Sequence, residues 1–247
     1  PSDGPTTAIA TDLSNTSRTI NTYQYQGYYY MWDATRPMFR GTIPNADGLI
    51  ITYTNNNGDY EKAWSPKPFS STNNVWQDKA SVSSHYYTGL VYEYYRNTHN
   101  RNSLDDAGMD MITVLHATQD GQTIDNAWWN GKFVTLGDGG QTTTPWPGAL
   151  DFIAHEFTHG VVTFTVDLVY KYQSGALNEG FADWGGAMVE RKNWQMGEDI
   201  AKKSFYPTGC VRDMQNPHNG GTKGDYIWLP AHMNEYFDLP LEKDNGG

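Results

Sequence analysis

The first third of the chain has the composition of strands. The segment RTINTYQYQGYYYMWD (18–33) is rich in Tyr and Thr, and GLIITYTNNNGDYEKAW (48–64) carries Asn57-Gly58, a hairpin-turn signal. From Asp78 the pattern changes. Val82, Tyr86, Leu90 and Tyr94 recur every four residues, with Tyr87 and Val91 widening the stripe, which predicts a helix within 78–101. MDMITVLHA (109–117) reads as a short apolar strand, and DNAWWNGKFVTLGDGG (125–140) as strand and turn around Asn130-Gly131, ending in a Gly-rich loop. After TTTPWPGA (142–149) helical patterning takes over. Leu150, Ile153, Ala154, Phe157 and Val161 trace one apolar helix face, and GALNEGFADWGGAMVERK (175–192) predicts a second helix. The expectation is an α+β fold of two lobes: a β-rich N-terminal lobe with one long helix over residues 1–147, and a mainly α-helical lobe over 148–247. The sequence shows no internal repeat and no low-complexity tract.

Composition narrows the partners. With 247 residues the chain is long enough to bury a real core, and its formal charge is −11, from 17 Lys plus Arg against 28 Asp plus Glu. Nucleic-acid backbones and anionic membranes would be repelled, whereas carboxylates are a source of oxygen ligands for calcium. No apolar run approaches the roughly 18 residues of a membrane span, and no signal-peptide pattern sits at PSDGPTTAIA. The single cysteine, Cys210, has no partner for a disulfide within the chain. Abundant Tyr, Trp, Asn and Thr suit an exported protein in its mature form.

The chemistry concentrates in FIAHEFTHGVV (152–162). On a helix, residues four apart share a face, so His155 and His159 can aim both imidazoles at one point. A catalytic Zn²⁺ takes three protein ligands plus water, with nitrogens at about 2.0–2.1 Å. Glu156 lies about 100° round the helix from His155, placed to accept a proton from zinc-bound water rather than to bind the metal. The competing reading, two packed core histidines beside a solvated glutamate, leaves the downstream acids unexplained. Glu179 follows His159 at a distance that lets one helix end and an antiparallel one begin, and supplies a third ligand. Asp183, four residues further on, shares its face. Such a like-charge pair makes sense if one carboxylate binds a cation and the other accepts a hydrogen bond from a ligand histidine.

With these residues assembled, the chain resembles the thermolysin-like family of secreted zinc metalloendopeptidases, the neutral proteases. Beyond HExxH and NEGFAD, the segments SSHYYTGLVYEYYRNTHNR, NAWWNG, GDGG, SGALNE, MGED, VRDM and DNGG resemble family segments in the right order. The resemblance implies a zinc site in the cleft between the lobes, with His155, His159 and Glu179 as ligands, Glu156 as general base and Asp183 holding a ligand histidine. It implies that Asn126 and the backbone of Ala127 bind an extended peptide along an edge strand, a form of β-augmentation. Tyr170 would help stabilise the tetrahedral oxyanion and Arg212 would bond the substrate carbonyl. The implied function is hydrolysis of peptide bonds in secreted, extracellular surroundings, on the amino side of hydrophobic residues.

The resemblance also implies calcium, held by Asp151, Glu190 and Glu198 beside the zinc helix. Asn193 and Gln195 stand where double-site members carry further acids, so one calcium is expected rather than two. The pocket for the residue after the scissile bond would be lined by Thr143, Trp146, Phe152, Met196, Ile200 and Val211, mostly apolar but of altered shape.

The family's DNGG is followed within two residues by a histidine that stabilises the oxyanion, oriented by the aspartate matching Asp244. Here the sequence stops at Gly247. The expectation is a C-terminally truncated piece with its helical lobe incomplete, zinc binding retained and activity reduced, and with its own propeptide or a C-terminal fragment as partners besides protein substrates. The alternative is a non-catalytic binding module stapled by zinc and calcium, against which intact Glu156 argues.

Overall fold

The computed structural model describes residues 2–237; Asp244 lies outside them. The chain opens with a hairpin of β1 (Gly4–Thr11) and β2 (Ser17–Tyr25), joined antiparallel along their length from Gly4↔Gln24 to Thr11↔Ser17. β3 (Tyr28–Tyr30) pairs with β2, and short β4 (Trp32–Asp33), β5 (Ile50–Thr54), β6 (Lys67–Pro68) and β7 (Ser70–Ser71) follow. The long helix α1 spans Lys79–His99, and β8 (Met111–Leu115), β9 (Thr118–Gln119), β10 (Gln122–Thr123), β11 (Ala127–Trp129) and β12 (Val134–Leu136) complete the strand-rich part. Two larger sheets carry most of it, while β9 and β10 pair with each other. One large sheet runs β1-β2-β3-β7; the other runs β11-β12-β8-β5-β4, with β6 also on β5. β5 and β8 are parallel, so the chain must cross over between them, and α1 is that crossover.

Helix α1 departs from the predicted stripe in an informative way. Asp78 caps its start by accepting from the Ser81 amide at 2.6 Å, and Asn100 ends it in a left-handed conformation. Val82 and Val91 are buried as expected, but so are Ser84, His85 and Thr88. Each finds a partner: Ser84 donates to Thr113 Oγ1 at 2.8 Å, the His85 ring lies between Thr52 Oγ1 at 3.0 Å and the Asn21 carbonyl at 2.7 Å, and Thr88 donates to the Ser84 carbonyl at 2.8 Å. Small polar side chains can face a sheet when every polar atom is satisfied, and hydropathy alone does not reveal that.

The two turn signals fare differently. At Asn130-Gly131 the β11–β12 hairpin closes as expected, with Asn130 Oδ1 accepting from the amides of Lys132 and Phe133. At Asn57-Gly58 a turn does form, closed by the Gly58 amide on the Asn55 carbonyl at 2.8 Å, but no two-residue hairpin. β5 meets its antiparallel partner β6 only at Lys67, after a loop that is instead tied to the β8–β9 segment.

After a 3-10 turn at Trp146–Gly148 come α2 (Leu150–Thr163) and α3 (Tyr172–Glu190), then β13 (Gln195–Met196) and β14 (Arg212–Asp213), paired antiparallel. α2 is the hub of the molecule: it packs on α1, β11 and β12 on one side and on α3 on the other. Ile153, Ala154 and Phe157 are fully enclosed and join Val91, Leu115 and Leu136 in one continuous core. No helix among the described residues is long and apolar enough to cross a membrane.

Candidate metal and active site

Two glycines set the distance between the helices that build the site. A Cβ at Gly185 would collide with Thr158, and one at Gly186 with the Asp151 carbonyl and the Met196 side chain. Glycine at both positions lets α3 lie directly on α2. Glu179 and Asp183, one turn apart on α3, are thereby brought against His155 and His159, one turn apart on α2.

The four groups converge as the sequence predicts. His155 Nε2 and His159 Nε2 are 3.0 Å apart, and Glu179 places Oε2 at 3.3 Å from the first and Oε1 at 3.4 Å from the second. The outer ring nitrogens are engaged elsewhere: His155 Nδ1 lies 2.7 Å from Asp183 Oδ1, and His159 Nδ1 lies 2.8 Å from Asn178 Oδ1. Asp183 and Asn178 present acceptor oxygens there, so each Nδ1 carries a proton, and in its neutral form each ring turns a bare Nε2 inward. Two bare nitrogens and a carboxylate facing one another at this range repel unless a cation sits among them. A tetrahedral ion with bonds of about 2.0–2.1 Å needs ligand atoms about 3.3–3.4 Å apart, close to the spacing found. Asn178 was not identified from the sequence. Its only signal there is an amide next to Glu179 on a helix face that has to be buried.

Without a cation the balance differs: burial opposes charge on His155, yet the hydrogen bonds of Asp183 and Glu179 prevail, push its pKa up to about 10 and favour a proton on Nε2, where a metal ion would take its place. Burial and the neighbouring His155 hold His159 below the usual imidazole range. Glu179 is drawn down to about 2, because its contacts with the two histidines and Arg212 outweigh the cost of burial. The exception is Glu156. Burial dominates there and raises it to about 7, with the Trp129 backbone amide as its hydrogen-bond donor. A carboxylate poised near neutrality can take a proton and return it.

Glu156 opens onto a cleft of about 570 Å³ between the strand-rich part and the helices. β11 forms one wall, with Asn126, Ala127 and Trp129 facing the cleft, and it is an edge strand whose outer side is unpaired within its sheet. Tyr170, at the opposite rim, donates its hydroxyl to Glu179 Oε1. Arg212 reaches in from β14 and grips Asp183 with Nε at 2.7 Å and Nη2 at 2.5 Å, its guanidinium 5.0 Å above the Phe152 ring. Of the residues expected to line the apolar pocket, two reach the cleft. Trp146 and Phe152 border the cleft, stacked edge to face with centroids 4.7 Å apart, while Thr143, Met196, Ile200 and Val211 are enclosed behind them.

A second cluster lies behind the first. Asp151, Glu190 and Glu198 each bring a carboxylate oxygen within 4.8 Å of the others. Asp151 is held by the amides of Phe152 and Gly197, whereas Glu190 Oε2 and Glu198 Oε2 are buried without a partner. Burial, reinforced by the neighbouring carboxylates, raises Asp151 to about 8 and Glu190 to about 7.

Comparison with known proteins gives one family along the chain. The family described as thermolysin metallopeptidase, catalytic domain, matches residues 7–163, and thermolysin metallopeptidase, alpha-helical domain, matches 166–247. Among similar curated proteins, a bacillolysin of Brevibacillus brevis is 38% identical over 203 residues, covering 80% of this chain and 35% of the relative. An extracellular elastase of Staphylococcus epidermidis is 34% identical over 253 residues, covering 99% of this chain and 45% of the relative. The chain thus spans less than half the length of these relatives. Among solved structures, the precursor of protealysin, a metalloproteinase from Serratia proteamaculans, aligns with a TM-score of 0.66 at 27% identity, covering 84% of this chain and 66% of that one.

Proposed function

Because the chain belongs to the thermolysin metallopeptidase family, we propose that it is the catalytic part of a zinc-dependent endopeptidase that cleaves extended peptides in the cleft between lobes 1–147 and 148–247. The observation that carries this reading is the meeting of three ligand side chains, His155, His159 and Glu179, with nitrogen and carboxylate oxygen atoms 3.0–3.4 Å apart, beside a buried, near-neutral Glu156. His155, His159 and Glu179 would hold the ion. When bound, Zn²⁺ supplies Lewis acidity, polarising a carbonyl and lowering the pKa of water to about 7.

The chain's own groups divide the remaining work. The free edge of β11 offers main-chain donors and acceptors to a peptide laid alongside, which fixes its backbone whatever its sequence. Asn126 adds a side-chain amide at the same wall, and Arg212 sits where it can bond a substrate carbonyl while staying fixed by Asp183. Glu156 accepts a proton from the attacking water and passes it to the leaving amine, work for which its raised pKa suits it. Tyr170 presents a hydroxyl beside Glu179, where charge develops on the carbonyl oxygen. The role expected for Asp244 remains part of this reading.

The second cluster would hold calcium, since hard carboxylate oxygens suit that ion and two of them are buried without any other partner. Extracellular action on protein substrates is supported by the relatives' names. The test is cleavage of an internally quenched peptide by the full-length gene product. Cleavage should be lost with chelator, restored by zinc, and reduced by about 10²–10⁴ in Glu156→Gln with zinc content unchanged. A wild type that binds zinc yet cleaves no peptide would establish the non-catalytic binding module instead.

A further inference from the structure

Arg212 is tied to Asp183 along one edge of its guanidinium, by Nε at 2.7 Å and Nη2 at 2.5 Å. Two bonds along one edge act as a hinge, about which the plane of the group can still swing. Nη1, on the side away from Asp183, has no hydrogen-bond partner among the described residues. The swing is limited by Phe152, whose ring centroid lies 5.0 Å from the guanidinium carbon, with the cation over the ring. Phe152 is itself wedged in place. It is only 2% exposed and stands edge to face with Trp146 at 4.7 Å and with His155 at 5.8 Å. On another side the backbone passes so close that a Cβ at Gly197 would collide with the ring.

We propose that Phe152 is a positioning residue for the reaction: its ring fixes the plane of the Arg212 guanidinium and so aims Nη1 at the substrate carbonyl. The inference rests on the endopeptidase reading of this cleft. It assigns the ring a task that an aliphatic side chain lining the same wall could not perform. The face of an aromatic ring is negative and attracts a cation, most strongly where water is shut out. The Arg212 side chain is only 24% exposed, which meets that condition. A long arginine left free would lose rotamer freedom at the moment it bonds the substrate. Held by its edge on Asp183 and its face on Phe152, it has lost that freedom before the substrate arrives.

The test is a double-mutant cycle on kcat/KM for an internally quenched peptide, in the full-length gene product with zinc content measured alongside. Phe152→Leu keeps an apolar side chain on α2 but removes the ring, and should lower kcat/KM about 10-fold at unchanged zinc content. In an Arg212→Met background the same substitution should cost almost nothing, because the group it positions is gone. Pentafluorophenylalanine at position 152 keeps the ring's outline while reversing the charge of its face, and should lower kcat/KM as Phe152→Leu does. That variant decides the question even if leucine disturbs the packing. Equal losses in both backgrounds, or a fluorinated ring with wild-type activity, overturn the proposal and leave the endopeptidase reading standing. A zinc-loaded wild type that cleaves no peptide contradicts that reading, and the role of Phe152 falls with it.

Discussion

Asp183 holds His155 and Arg212 at the same time: its Oδ1 lies 2.7 Å from His155 Nδ1, and its two oxygens take Arg212 Nε and Nη2 at 2.7 and 2.5 Å. One buried carboxylate thus orients a metal-facing imidazole and positions the cation that reaches into the cleft. Its own pKa is held far below the usual carboxylate range, since Arg212 and His155 together overcome the cost of burial. Asp183→Asn keeps the shape but cannot accept from both partners with full charge. Zinc affinity, measured by competition with a chromogenic chelator, is expected to fall about 10–100-fold. Unchanged affinity would show that His155 needs no such anchor.

The Asp151–Glu190–Glu198 cluster should leave a pH signature when no cation is bound. Asp151 and Glu190 have folded pKa values of about 8 and 7, above the ordinary carboxylate range. The folded state therefore binds protons more tightly than the unfolded one. Stability from these groups is full below about pH 4 and is lost as pH rises through 7–8. In calcium-free buffer the melting temperature should fall between pH 5 and 8 by more than in calcium-saturated buffer. Thermal melts across this range, with and without calcium, check the difference.

A second titration belongs to a histidine outside both clusters. His116 is clamped between Asp138 Oδ1 at 2.8 Å and Asp78 Oδ2 at 3.1 Å, tying the cap of α1 to the Gly-rich loop. Burial opposes its charge, but the two carboxylates raise its pKa to about 10. Its contribution is complete below the unfolded value of about 6.5 and disappears as pH rises through 10. Denaturant midpoints of wild type and His116→Gln should differ at pH 6 and converge near pH 10.5. A constant difference would assign His116 a packing role only.

The floor of the cleft carries a specificity prediction. Trp146 and Phe152 border the cleft edge to face, with Phe152 under the Arg212 guanidinium, so shortening Trp146 would enlarge the space open to a substrate side chain there. Trp146→Leu should raise kcat/KM for a peptide with Phe at that position relative to Ala by about 10-fold or more. Peptide-library profiling of both forms reads this directly, and an unshifted profile would contradict it.

Much of this was legible in the sequence, for reasons that differ by residue. His155, His159, Glu179 and Asp183 were readable because helical spacing fixes which side chains share a face, whatever lies around them. Ile153, Ala154 and Phe157 followed from periodicity. Asn178 was not readable, because the partner of a histidine ring depends on how two helices pack, and that rests on Gly185 and Gly186. Nor was the burial of Ser84 and His85, which depends on hydrogen bonds to strands distant in sequence, or of Thr88, whose hydroxyl turns back to the Ser84 carbonyl. That only Trp146 and Phe152 of the expected pocket residues line the cleft was not readable for the same reason. A set of apolar positions does not say which of them reach open space.

The claim on which the rest depends is that His155, His159 and Glu179 jointly hold one zinc ion. Anomalous diffraction from zinc-loaded crystals at the zinc absorption edge tests it most directly. The account predicts one strong peak about 2.0–2.2 Å from His155 Nε2, His159 Nε2 and a Glu179 oxygen, with Glu156 outside bonding distance. A peak bonded to Glu156, or none at this triad, would contradict it.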